Sequence, residues 1–99
     1  MTVAYSAWQD RRLHPRRKVL KRVKAVFNAN RSVLDCVMRD ISAGGARLSC
    51  DQAQLLPDSF QLVFMAEREM REVRVAWRKL NELGVAFLSP PRTALHLLL

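Results

Sequence analysis

The feature that most constrains this chain is a series of six short runs with two-residue alternation, each cut off by turn-forming residues. The cleanest is "REVRVAWRKL" (71–80). There Val73, Val75 and Trp77 share one side of an extended segment, and Arg74 and Arg78 the other. "VLKRVKAVFN" (19–28), "SVLDCVMRDI" (32–41), "GARLSC" (45–50), "SFQLVFMA" (59–66) and "GVAFLS" (84–89) complete the set. Gly44-Gly45, Pro57-Asp58 and "NELG" punctuate them as turns. Six such strands predict an all-β chain, an antiparallel sheet rolled into a barrel or folded as a sandwich. Helical signals are few. "DQAQLL" (51–56) reads as a short turn and "ERE" (67–69) as a charged hairpin tip. The tail "SPPRTALHLLL" is expected to start a short helix after its prolines or to cover one end of the barrel.

A chain of 99 residues makes one domain with one core. The expected organisation is an N-terminal tail over 1–10, a barrel over 11–90 that includes a basic loop, and a C-terminal tail or helix over 91–99. No apolar run approaches the roughly 18 residues of a transmembrane helix, so no membrane insertion is expected. The first ten residues lack the basic lead and apolar core of a secretory signal, which makes the cytoplasm the expected location. Cys36 and Cys50 have no further cysteines or clustered histidines beside them, which argues against a zinc site. Reduced, buried thiols are expected.

Charge is unevenly placed. Through Arg31 there are nine Lys or Arg against one acid, Asp10, and from Ser32 onward the count is eight against eight. The whole net charge of +8 therefore resides in the first third of the chain, and its partner should be anionic. Within "RRLHPRRK" (11–18), Pro15 disfavours a helix and makes the segment a loop leading into the first strand. Arginines at 11, 12, 16 and 17 supply planar forks that grip phosphates in pairs of bonds or stack on a purine. Lys18, Lys21, Arg22 and Lys24 read as a field that attracts an anion without touching it.

"RDISAGGARL" (39–48) is the second polar segment. In an extended chain Asp40 and Ser42 project together, and Gly44 and Gly45 allow positive φ or a close backbone approach. The same residues also suit any tight turn. Trp77 is weighed as core against ligand platform, with core favoured. His14 reads as structural or exposed, and Phe27, Phe64 and Phe87 as packing.

Together the two segments resemble the PilZ domain family, bacterial receptors for cyclic di-GMP. Arg12-Leu-His-Pro-Arg16 matches that family's Arg-x-x-x-Arg motif, and Asp40-Ile-Ser42-Ala-Gly44-Gly45 its Asp/Asn-x-Ser-x-x-Gly motif. The closing "VRVAWRKLNELGVAF" is similar as well, so the resemblance runs from about Asp10 to Ser89. It implies a six-stranded antiparallel PilZ-type barrel with a flexible basic N-terminal arm and a short C-terminal helix. By that resemblance Arg12 and Arg16 serve the phosphates and guanine edges of cyclic di-GMP. Asp40 accepts from a guanine N–H edge, Ser42 adds a hydroxyl, and Gly45 leaves room. Arg11, Arg17, Gly44 and Trp77 are secondary candidates, Arg11 as a base for stacking a second ligand.

The leading expectation is a sensor whose arm changes conformation on binding cyclic di-GMP and signals to a separate effector protein. Two alternatives stay open: a basic barrel that binds nucleic acid, and a PilZ-like adaptor that works through protein contacts without ligand. Nucleic acid is disfavoured because the strands show no solvent-side aromatic cluster. No nucleophile–base grouping, metal-ligand cluster or glycine-rich phosphate loop is present, so neither an enzyme nor a cofactor is expected.

Overall fold

Alternation in this sequence becomes a curved sheet that closes on itself. In the computed structural model, which describes residues 15–94, the strands are β1 (Arg17–Phe27), β2 (Ser32–Ile41), β3 (Gly45–Ser49), β4 (Ser59–Phe64), β5 (Glu69–Arg78), β6 (Glu82–Phe87) and β7 (Arg92–Thr93). Antiparallel pairing runs β4-β1-β2-β3-β6-β5, and β4 pairs again with β5. That last ladder makes a closed six-stranded antiparallel barrel. No helix among the described residues is long and apolar enough to cross a membrane.

Inward positions fill the barrel. Val23 and Ala25 from β1, Cys36 and Met38 from β2, Leu48 from β3, Leu62 from β4, Val73 from β5 and Leu83 from β6 form one buried cluster. Phe27, Phe64 and Phe87 pack into it, as their placement in the sequence suggests, and Phe60 joins them. Arg78, expected on a solvent face, is half-buried. Its Nη1 donates to the carbonyls of Ala53 (2.7 Å) and Leu56 (2.8 Å), pinning a single 3-10 turn over Ala53–Leu55.

Strands β5 and β6 each begin two residues earlier than the sequence segments "REVRVAWRKL" and "GVAFLS" suggest, so Glu69 belongs to β5 and the β4–β5 hairpin tip spans 65–68. Two expectations about backbone change. Positive φ falls on Asn28, Ala29, Asn30 and Arg68, and on none of the glycines. The tail does not begin a helix after its prolines: Arg92–Thr93 pairs with Glu69 and Met70 of β5. Ala94 then lies buried with Val26, Val63 and Met70, closing a second small core on the outer side of β1, β4 and β5. Extended pairing satisfies backbone groups and buries Ala94 together, which a helix at 92–94 would not do. The tail over 1–10, the residues Arg11, Arg12 and His14, and the last five positions of the chain lie outside the described residues.

Candidate functional site

Asp40 is the one buried charged residue among those described, at 7% exposure. Its position depends on register. Along the β2–β3 hairpin Ser42 N–H donates to the Gly45 carbonyl at 2.8 Å, Ile41 pairs with Ala46, and Asp40 with Arg47. The register then shifts at Arg39, so that Met38 pairs with Leu48. The extra residue is a β-bulge, a device that bends a strand and re-aims side chains. A second shift between Lys18 and Lys21 brings Lys18 opposite Asp40 from β1.

These pairings continue around the barrel. Arg47 faces Gly84 in β6, and Gly84 faces Trp77 in β5 after a shift between Val75 and Trp77. Lys18, Asp40, Arg47, Gly84 and Trp77 therefore form one row across five neighbouring strands. Three strand spacings, roughly 14–15 Å measured along the curved sheet, lie between Asp40 and Trp77. Trp77 is half-buried, and its indole fills the space where a side chain at Gly84 would stand. Lys79 lies over the same ring with Nζ 5.7 Å from the centroid.

At the centre of the row the contacts are ionic. Arg47 Nε donates to Asp40 Oδ2 at 2.9 Å and Arg47 Nη1 to Glu82 Oε2 at 2.9 Å. Asp40 holds the Arg47 guanidinium's pKa above its ordinary value, chiefly through that bond, with Glu82 adding to it. Arg16 reaches in from the leader, its Nη1 3.9 Å from Asp40 Oδ1, which is too long for a hydrogen bond. Asp40 Oδ1 is buried and has no hydrogen-bond partner. A buried acceptor without a donor is costly and calls for a reason.

The two motifs thus meet at Asp40, with Arg16 from the first and Asp40 from the second. Ser42 is differently engaged. Its Oγ accepts from Gly44 N–H at 3.3 Å and donates to the Gly45 carbonyl at 3.4 Å, closing the turn. Gly44 is exposed and its carbonyl accepts from Phe87 N–H at 2.9 Å. Gly45 has a plain packing requirement: a Cβ there would stand 2.2 Å from the Val85 carbonyl oxygen. Close backbone approach, and not positive φ, is what this glycine permits. Arg17 opens β1 opposite Ile41 and is exposed.

Of the cations read as a diffuse field, two are tied up. Lys21 pairs with Glu67, and Lys24 with Asp35 at 2.8 Å. Arg47, Gly84 and Glu82 were not candidates in the sequence, yet Arg47 makes the tightest contact to Asp40. Counting back from a hairpin tip at Ala43-Gly44 places Asp40 against Arg47, and that count was the available signal.

A concavity of about 1010 Å³ lies elsewhere, lined by Leu20, Arg22–Lys24 and Val33–Val37 and reaching Cys50 and Met65. It contains none of the motif residues. The unpartnered buried carboxylate oxygen beside the arginine leader lies outside that concavity. No group of three or more His, Cys, Asp or Glu among the described residues is placed to hold a metal ion.

The PilZ domain family model matches residues 10–99, and the chain belongs to that family. Its members are cyclic di-GMP-binding receptors and adaptors. Comparison with curated proteins gives no match.

Proposed function

We propose that this domain is a cyclic di-GMP sensor in which the leader and the Asp40 corner close on one face of the ligand. The observation that carries the reading is Arg16 standing 3.9 Å from a buried carboxylate whose Oδ1 is unpartnered. Arg12 and Arg16 take the phosphates in forked, charge-assisted bonds, with Arg11 and Arg17 adding charge or stacking. Asp40 Oδ1 accepts from the guanine N1–H and 2-amino edge. Ser42 gives up its contacts within the turn for a ligand oxygen, and Trp77 offers a ring at the far end of the row. A charge-assisted bond is worth about 1.5–3 kcal/mol, so three or four of them, less the cost of ordering the leader, support micromolar or tighter binding.

Binding draws Arg16 from Asp40 to the ligand and changes the path of the leader. A partner protein that reads the leader-plus-barrel surface then distinguishes the two states. Isothermal titration calorimetry with cyclic di-GMP against GTP and cyclic AMP tests the reading. Saturable heat with cyclic di-GMP alone supports it; a folded sample giving no heat with that ligand ends it.

A further inference from the structure

We propose that Arg47, clamped by Glu82, is the positioning residue that aims Asp40 at the guanine edge and so sets the base selectivity of the site. The inference rests on the cyclic di-GMP reading above. A carboxylate has two oxygens, and here they are unequal. Oδ2 is taken by Arg47 Nε at 2.9 Å, while Oδ1 is buried with no hydrogen bond. Arg47 itself cannot turn freely, because Nη1 is bonded to Glu82 Oε2 at 2.9 Å on the next strand. The planar guanidinium, held at two points, fixes the plane of the Asp40 carboxylate and leaves one oxygen open.

The same clamp solves an electrostatic problem. A buried carboxylate deprived of its counter-charge is strongly unfavourable. Arg16 is the more exposed of the two arginines and the more distant, and it is the one whose motif serves the phosphates. When Arg16 leaves, Arg47 remains, and Asp40 stays compensated. Arg47 is thus the permanent counter-ion and Arg16 the exchangeable one.

A merely structural salt bridge between β3 and β6 affects every ligand alike, whereas an aiming role acts on the base edge. Guanine presents N1–H and a 2-amino group; hypoxanthine keeps N1–H and lacks the amino group. The probes are therefore cyclic di-GMP and cyclic di-IMP, titrated calorimetrically into the wild-type protein and into Arg47→Ala, Arg47→Lys and Glu82→Ala, with near-UV circular dichroism to check folding. Wild type is expected to prefer cyclic di-GMP by about tenfold, the value of one lost bond to a carboxylate. In Arg47→Ala that preference falls to about twofold. Arg47→Lys regains part of the absolute affinity but not the preference, since a lysine cannot hold Asp40 and Glu82 in one plane. Glu82→Ala lowers the preference in the same direction and serves if Arg47→Ala does not fold. Equal losses for both dinucleotides, with the tenfold ratio kept, would reduce Arg47 to a structural tie and overturn the inference while leaving the sensor reading intact. Wild-type protein that binds neither dinucleotide would overturn both.

Discussion

Strand β2 buries two ionisable side chains four positions apart, Cys36 and Asp40, and treats them in opposite ways. At the Cys36 end the neighbours are apolar core residues. Burial pushes the thiol pKa well above its ordinary value, the neighbouring Cys50 thiol adds to the rise, and the charge of Asp35 contributes last. Charge is excluded there. At the Asp40 end a bulge turns the side chain toward Arg47, and a carboxylate is kept by pairing it. One strand therefore shows both solutions to the cost of a buried ionisable group, neutralisation and compensation. Only the second leaves an electrostatic handle that a ligand can grasp, and it coincides with the arginine leader.

The contrast can be broken by substitution, beginning with the backbone that holds the charged end. Gly45→Ala drives a methyl group into the Val85 carbonyl, 2.2 Å from its oxygen, and is expected to lower unfolding free energy by about 3 kcal/mol in urea titrations. Wild-type stability in that variant would mean that β3 and β6 do not pair so closely. Asp40→Ala should weaken cyclic di-GMP binding by about a hundredfold, or 2.7 kcal/mol, through loss of a charged acceptor. The matching change at the other end, Cys36→Ser, should cost about 2 kcal/mol of stability by burying a hydroxyl among apolar side chains. Ligand affinity in that variant should stay within about twofold. If Cys36→Ser damages binding as much as Asp40→Ala, the two ends are not functionally distinct.

Arg16→Ala sharpens the comparison, since its side chain is half exposed and touches the site from outside the barrel. Affinity should fall about tenfold with the thermal midpoint nearly unchanged. The smallest effect is expected from alkali. A thiol whose native pKa lies above the ordinary 9.0 stays protonated in the fold and ionises when unfolded. Its stabilising contribution is complete below about pH 9 and is lost as pH rises toward the native value, by at most about 1.4 kcal/mol per pH unit. Denaturant titrations from pH 8 to 10 should show this slope in the wild type and a shallower one in Cys36→Ala. A slope that Cys36→Ala leaves unchanged would assign the alkaline loss to other groups.

The barrel was largely legible because its signal is local. Alternation in "REVRVAWRKL" and turn residues at 44–45 and 57–58 need no knowledge of partners, although the first turn sits one residue earlier, at 43–44, and Gly45 already belongs to β3. The motif residues were legible too, through spacing within two short segments. What the sequence did not announce is the row from Lys18 to Trp77, because it needs the shifted β1–β2 register that sets Lys18 against Asp40 and the long-range β3–β6 pairing of Arg47 with Gly84. A bulge adds one residue to one strand without a composition cue, so neighbours across strands cannot be counted far from a hairpin tip. Asp40–Arg47 and Trp77–Gly84 each lie close enough to a hairpin tip to be counted, whereas Arg47–Gly84 joins β3 to β6 across two intervening strands of sequence. The start of the tail misled for a related reason: two prolines favour a helix start, but the side of β5 at Glu69 and Met70 that β6 does not reach, and the apolar patch around Val63, offered a better partner.

The most direct test of the central claim is a two-dimensional amide NMR titration of the isotope-labelled protein with cyclic di-GMP. Shifts concentrated at residues 16–18, 40–47 and 84, and at the Trp77 indole N–H, are the result expected if the Asp40 row is the binding surface. Shifts gathered instead on Leu20, Val33, Cys36 and Cys50, around the concavity those residues line, would contradict it.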